Sequence, residues 1–280
     1  MTVAIVTDSG SDLTPAELGE RRIGQVPLTV SFGQESFLSP NELAPEEFWR
    51  RMTAPDSPFA HTAAPSAGQF KQAFEQAFEA GADGIVCVTL GQKLSATMSS
   101  ARMAADMLPG RQIGVVDSGS ASMGIGALAL RGATMAAAGA GVPEIVAALD
   151  KMRADNVFFV CLETLEYLRK GGRISHVKAA IGGLLSVKPI MTTEDGLVIP
   201  ADQPRTRARA RERILELMSS RPLTELHLLY APPADVEGFR EELLARLPEP
   251  KPRLVTSRII GPVIGTHVGP GAYGGVIVWG

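Results

Sequence analysis

The run Gly84-Ile-Val-Cys-Val-Thr-Leu90 limits the possible folds of this chain more than any other segment. It stays apolar over a strand's length, without the polar alternation of a half-exposed strand. Such a strand is covered on both faces, the usual state of a parallel strand between layers of helices. Its surroundings repeat the pattern. Residues 3–6 read as a short apolar strand, followed by the polar turn Thr7 to Asp12. Thr14-Pro15 then opens a helix in cap-then-proline order. Residues 26–30 read as a second strand, and residues 43–52 as a helix with Pro45 near its start. A Pro/Ala/Ser loop is expected over residues 54–66. Phe70, Ala73, Phe74, Ala77 and Phe78 recur at helical spacing. A helix over residues 97–108, a strand over 113–116 and a long alanine-rich helix complete the series. Repeated βα units imply a parallel sheet with right-handed crossovers.

The second half is patterned differently. Residues 157–162 read as a strand, and 164–170 as a short helix stopped by Gly171-Gly172. Strands over 189–193 and 197–200 flank the hairpin turn Glu194-Asp195-Gly196. Helices are expected over 205–219 and 234–246, and strands over 226–230 and 254–260. The glycine-rich stretch 261–275 leads to a final strand over 276–279. The predicted fold is therefore α/β with two domains. Residues 1–150 form a parallel-sheet α/β domain, and residues 151–280 an α+β sandwich domain.

Length and charge agree with that division. At about 150 residues per domain, 280 residues make two domains. The net charge of −3 hides an asymmetry, with −7 over residues 1–150 and +4 over residues 151–280. A basic second half is suited to something anionic. Cys87 and Cys161 both sit inside apolar runs, with no CxxC and no metal-type Cys/His cluster. Two buried free thiols fit a reducing cytoplasm. The chain opens on an apolar strand and an acidic loop, so no secretory leader is expected. The alanine-rich stretch 123–141 is interrupted by Arg131 and reads as a buried helix, so no stable membrane insertion is expected.

Ligands of an open α/β sheet sit at the carboxyl ends of its strands. Three loops there are polar: Thr7 to Asp12, Gly91 to Thr97 and Asp117 to Ser122. Their hydroxyls and turn amides are able to hold an oxyanion without burying a cation. Asp8, Ser9, Asp117 and Ser118 are equally suited to capping turns and helices. No Walker pattern and no GxGxxG after the first strand occurs, which argues against a nucleotide cofactor. His267 lies between Gly265 and Gly269. Histidines 61, 176 and 227 have no such frame. Ser95 with His267 raises the alternative of a serine-dependent lipid or ester hydrolase. Lys93-Leu-Ser-Ala-Thr97 is not a GxSxG elbow, however, and spacing names no acidic orienter. Arginines 205, 207, 209, 211 and 213 alternate without aromatics or an overall basic balance, so nucleic acid is not an expected partner.

Taken together, these motifs resemble the DegV family, the bacterial fatty-acid-binding proteins that include the lipid-carrying subunit of fatty acid kinase. The resemblance covers essentially the whole chain. It rests on Val6-Thr7-Asp8-Ser9 with Asp12-Leu13, on Thr62 ahead of Pro65-Ser66, and on Leu94-Ser95-x-Thr97. It continues through Val116-Asp117-Ser118, Leu165-Glu-Tyr-Leu-Arg-Lys-Gly-Gly-Arg-Ile-Ser175, Lys188-Pro189 and Gly265-Thr-His-Val-Gly-Pro-Gly271. The resemblance implies a non-enzymatic carrier. One long-chain fatty acid would lie in an interdomain tunnel, its carboxylate presented to a separate kinase ATP-binding subunit for acyl-phosphate formation. Thr62 and Ser95 would hold the carboxylate, with His267 beside it. Arg173 and Arg205 would face the kinase or the phosphoryl donor. No metal and no cofactor beyond the fatty acid is implied. The chain departs from the family pattern at Ala96, after the serine, and at Ala63-Ala64, after the threonine.

Overall fold

The computed structural model describes residues 2–174 and 187–280. Ser175 of the Gly-Gly-Arg-Ile-Ser motif and His176 lie outside the described residues. The strands are β1 (Val3–Asp8), β2 (Ile23–Val26), β3 (Leu28–Phe32), β4 (Glu35–Ser39), β5 (Ala60–Ala63), β6 (Gly84–Thr89) and β7 (Gln112–Asp117). They continue with β8 (Asn156–Cys161), β9 (Ile190–Glu194), β10 (Leu197–Asp202), β11 (Leu223–Tyr230), β12 (Leu254–Ile259) and β13 (Tyr273–Trp279). The helices are α1 (Pro15–Arg21), α2 (Pro45–Met52), α3 (Ala67–Glu79), α4 (Thr97–Asp106) and α5 (Met123–Ala137). After these come α6 (Val142–Met152), α7 (Glu166–Lys170), α8 (Arg207–Met218), α9 (Val236–Arg246) and α10 (Pro262–Val268).

The first portion is a wholly parallel sheet in the order β2-β1-β6-β7. A separate mixed sheet follows, in the order β10-β9-β8-β13-β11-β12, where β11 and β12 run parallel and the other neighbours antiparallel. The alternation of elements in the sequence predicts this mixed α/β class. Every residue of β6 is buried, as its unbroken apolar run requires. On one face Ile85 and Cys87 pack with Phe70, Phe74, Ala101 and Ala104 of α3 and α4. On the other, Val86 and Val88 meet Leu128 of α5 and Ile145 and Leu149 of α6. α1 and α3 both start with a capping box, Thr14 with Glu17 and Ser66 with Gln69. Among the described residues, no helix is long and apolar enough to cross a membrane.

Three readings need correction. The strand expected over 26–30 is two strands. Pro27 has no N–H for a ladder, and the chain leaves the parallel sheet there to enter a small antiparallel sheet in the order β4-β3-β5. The expected loop 54–66 contains β5, which pairs with β3 so that Val30 stands opposite Thr62. The glycine-rich stretch 261–275 contains α10, entered through Gly261 with Pro262 in its first turn. His267 therefore stands in the last turn of a helix rather than in a loop.

One continuous core runs from the first portion into the inner face of the mixed sheet. It joins Ile5, Val30 and Leu128 to Phe158, Val160 and Leu162. The outer face is covered by Ile214, Leu215 and Met218 of α8 and Phe239 and Leu243 of α9. Polar ties cross the same boundary. Arg258 donates to Glu17 at 2.7 and 2.9 Å and to the Asp12 carbonyl at 3.1 Å. The Gly261 amide donates to Asp12 Oδ1 at 3.2 Å, and Trp49 Nε1 to the Ile260 carbonyl at 2.8 Å.

Candidate functional site

Between the two portions lies a cavity lined mostly by apolar side chains from both. Leu28, Leu90 and Leu94 line it from the first portion. Phe158, Val160 and Leu162 line it from β8 and the residue after it, and Met191 and Val198 from β9 and β10. Successive residues of a strand point to opposite faces. Phe158, Val160 and Leu162 thus form one stripe, and Met191, opposite Val160, extends it sideways. Thr62, Ser95, Arg173, Thr193 and His267 also reach this cavity.

Thr62 and His267 are 205 residues apart in sequence, yet Thr62 Oγ1 lies 3.0 Å from His267 Nε2. β5 delivers the threonine and the last turn of α10 the histidine. α10 is braced by α2. At Gly265 any side chain would run into the Phe48 and Trp49 rings, so the helix sits close against them. Two tautomers of His267 satisfy the contact with Thr62. With the proton on Nε2 the histidine donates, and the threonine hydroxyl keeps its own proton for a ligand. Nδ1 is buried without a hydrogen-bond partner among the described residues. Burial, with smaller contributions from the charges of Arg173 and His61, pushes His267 down to about 4. The imidazole is therefore neutral near pH 7.

Ser95 sits in the turn after β6, where its own amide and that of Leu94 donate to the Gly91 carbonyl. Its Oγ lies 2.8 Å from Thr97 Oγ1 and accepts from the Thr97 amide at 3.3 Å. Among the described residues Ser95 makes no hydrogen bond to His267, and His267 has no carboxylate partner. The nucleophile–base pair required by the hydrolase alternative is not formed. What the site offers is a set of neutral hydroxyl donors at the edge of an apolar space. That arrangement suits an anion with a long apolar body.

The structure separates the two arginines. Arg173 is half-buried at the cavity, with Nε donating to the Leu94 carbonyl at 3.1 Å and Nη1 to the Gly171 carbonyl at 2.7 Å. Its Nη2 makes no hydrogen bond among the described residues. Arg205 is exposed ahead of α8 and does not reach the cavity. The three polar loops also part company. Leu94 and Ser95 of the second and Ala121 of the third line the cavity, but no residue of the first does. Asp8 instead accepts from the amides of Gly10 and Leu90, and Asp117 from those of Gln92 and Gly119. These aspartates tie loops together, as their capping chemistry allows. Cys87 and Cys161 are buried free thiols, and loss of solvation raises Cys161 to about 11.

A model described as "Uncharacterised protein, DegV family" matches residues 2–279. The chain belongs to the DegV family. A DegV domain-containing protein of Streptomyces coelicolor is 35% identical over 282 residues, covering 98% of each chain. A solved DegV family protein from Thermus thermophilus, described by its fatty acid binding, is 32% identical. It superimposes with a TM-score of 0.90 over 100% of both chains. A stearic acid-binding protein from Eubacterium ventriosum is 27% identical, with a TM-score of 0.86 over 99% of this chain and 98% of that one.

Sequence reasoning missed the confinement of His267. A Cβ at Gly171 would lie 2.2 Å from His267 Nδ1, so glycine there lets α7 close over the imidazole. Gly171→Ala is expected to push the ring outward and raise its pKa toward the ordinary histidine value of 6.5, as followed by NMR titration. An unchanged titration would show that the site absorbs the methyl elsewhere.

The same burial sets a pH dependence of stability. Between pH 6.5 and about 4 the unfolded chain takes up a proton at His267 that the folded chain refuses. Stability from this group is complete above pH 6.5 and is lost as pH falls through that window. Asp8 and Asp12, raised by burial to about 6 and about 7, act in the opposite sense. They favour the folded state as pH falls toward 3.8. Comparison with His267→Asn isolates the histidine. In denaturant titrations the variant should lose less stability than the parent between pH 6.5 and 4.

Proposed function

We propose that the chain binds one long-chain fatty acid in a tunnel between its two halves and presents the carboxylate to a separate kinase, which converts it to an acyl phosphate. The observation that carries this reading is the cavity itself. Its lining is mostly apolar, and Thr62, Ser95, His267 and Arg173 reach it. In this reading residues 1–150 are a domain supplying the head-group loops, and residues 151–280 a domain holding the acyl tail. Thr62 and Ser95 donate to the carboxylate, and His267 orients Thr62. The binding described for the relatives from Thermus and Eubacterium supports the same ligand class.

The energetics are sufficient without covalent attachment. Each buried methylene contributes about 0.8 kcal/mol, so a tail of about 15 gives on the order of 12 kcal/mol before costs. Association and ordering remove several kcal/mol, about 4 or more. In the transfer step a carboxylate oxygen attacks the γ-phosphorus of ATP. The new bond is C–O–P, and the bond to the leaving ADP breaks. The carrier supplies orientation and charge neutralisation, and the kinase supplies ATP and metal.

Organic extraction and mass spectrometry of the purified protein tests the ligand. A stoichiometric fatty acid is expected. Recovery of no lipid from protein expressed in several lipid-containing hosts would overturn the reading. The kinase is tested through Arg205, which is exposed and makes no ion pair among the described residues. Arg205→Ala should slow acyl-phosphate formation at limiting kinase by about tenfold or less, on the scale of a rim charge. Excess kinase should restore the rate. Full turnover at every kinase concentration would place the docking surface elsewhere.

A further inference from the structure

The stripe along β8 gives the cavity a direction. Leu162 stands at the end near α7, whose following residues Gly171 and Arg173 close on the head-group side chains. Phe158 lies four residues back along the strand, about 13 Å away at the rise of a β-strand. The ladder places Thr192 opposite Phe159, so Thr193 stands beside Phe158, and Val198 pairs with Thr193 in turn. Phe158, Thr193 and Val198 thus share a level, four residues along β8 from Leu162. Two of the three are apolar. Thr193 is half-buried, and among the described residues its hydroxyl has no hydrogen-bond partner.

Thr193 also borders a second cavity. That space, of about 550 Å³, is polar and lies between the β9–β10 turn and the loops after β6 and β7. Gln92, Lys93, Asp117, Arg153 and Glu194 line it. Among the described residues, Thr193 alone belongs to both cavities. Thr193 thus borders both an apolar and a polar space, with a hydroxyl that has no hydrogen-bond partner among the described residues. A valine there would fill the same volume and seal the end with hydrocarbon.

We propose that Thr193 is a specificity-determining residue that gives the tail cavity a polar far end, so that its ligands include fatty acids carrying a hydroxyl near the terminal carbon. The inference rests on the fatty-acid reading above. In a closed hydrocarbon pocket a terminal hydroxyl loses its water without replacement and is rejected. At Thr193 it exchanges hydrogen bonds with the threonine and opens toward the polar cavity. The competing account is that the Thr193 hydroxyl is only hydrated from the polar side and never meets the ligand.

The test is a displacement titration with matched pairs of unsubstituted and ω-hydroxy fatty acids over a series of chain lengths. At the chain length that reaches Thr193, the two members of a pair should bind the parent protein within about threefold of each other. Thr193→Val should shift that ratio about tenfold toward the unsubstituted acid, equal to about 1.4 kcal/mol. Thr193→Ser, which keeps the hydroxyl, should preserve the parent ratio. If the parent binds unsubstituted acids but rejects every ω-hydroxy partner by a hundredfold, the inference fails and the fatty-acid reading stands. A ratio unmoved by Thr193→Val also overturns it. Failure to bind either member of any pair would overturn the fatty-acid reading instead.

Discussion

Thr62→Ala combined with Ser95→Ala is expected to weaken fatty-acid binding by about two to four orders of magnitude. A hydrogen bond to a charged group contributes about 1.5–3 kcal/mol, so two lost donors amount to about 3–6 kcal/mol at about 1.4 kcal/mol per decade. The two hydroxyls serve one carboxylate, so the single variants need not sum to the double. The cost to folding is smaller. Both side chains are half-buried, and the hydroxyl partners left behind, Thr97 and His267, are also at the site. Displacement of a fluorescent fatty acid gives the affinity, and a denaturation midpoint checks the fold. Unchanged affinity in a folded double variant would remove Thr62 and Ser95 from the head-group site.

The second large effect is expected at Arg173, and in rate more than in affinity. Its guanidinium is held at the cavity by the carbonyls of Leu94 and Gly171, and Nη2 has no partner among the described residues. In the proposed kinase reading, a fixed cation beside the carboxylate would meet the incoming phosphoryl group as negative charge builds on its oxygens. Arginines in that position are worth about 10³–10⁵ in rate. Arg173→Ala should therefore slow acyl-phosphate formation about a thousandfold, with a smaller loss of lipid affinity than the double hydroxyl variant. Arg173→Lys keeps the charge but loses the planar fork, and should recover only part of the rate. Full turnover by Arg173→Ala with a cognate kinase would show that the phosphoryl group approaches from another side. The measurement also separates Arg173 from Arg205, whose effect is expected to vanish at high kinase concentration.

Local chemistry made much of the fold legible. The apolar run of β6, the prolines opening α1 and α2 and the Glu194-Asp195-Gly196 turn each carry their signal within a few residues. What stayed hidden depends on distant partners. β5 is short, and its pairing with β3 has no local signature. The break at Pro27 was visible as a proline, but the apolar residues on either side outweighed it. α10 was masked by its glycines, although Gly261-Pro262 is a recognisable helix start. At the site, the family resemblance pointed to Thr62, Ser95 and His267, while their shared cavity came from the tertiary fold. No spacing could pair residues 62 and 267. Nor could a motif distinguish the half-buried Arg173 from the exposed Arg205, because both stand in polar sequence next to loops.

β13 has a consequence for synthesis. It occupies the middle of the mixed sheet, between β8 and β11, and it follows both of them in the chain. On a ribosome those two strands are exposed before their shared neighbour has been made. Their free edges carry Phe158, Val160, Leu226 and Leu228, the kind of unpaired apolar strand that recruits other chains. The wall formed by β8 gains its β13 neighbour only when residues 273–279 have left the exit tunnel. In the fatty-acid reading, loading has to follow the emergence of β13, because the cavity wall on β8 is paired with it.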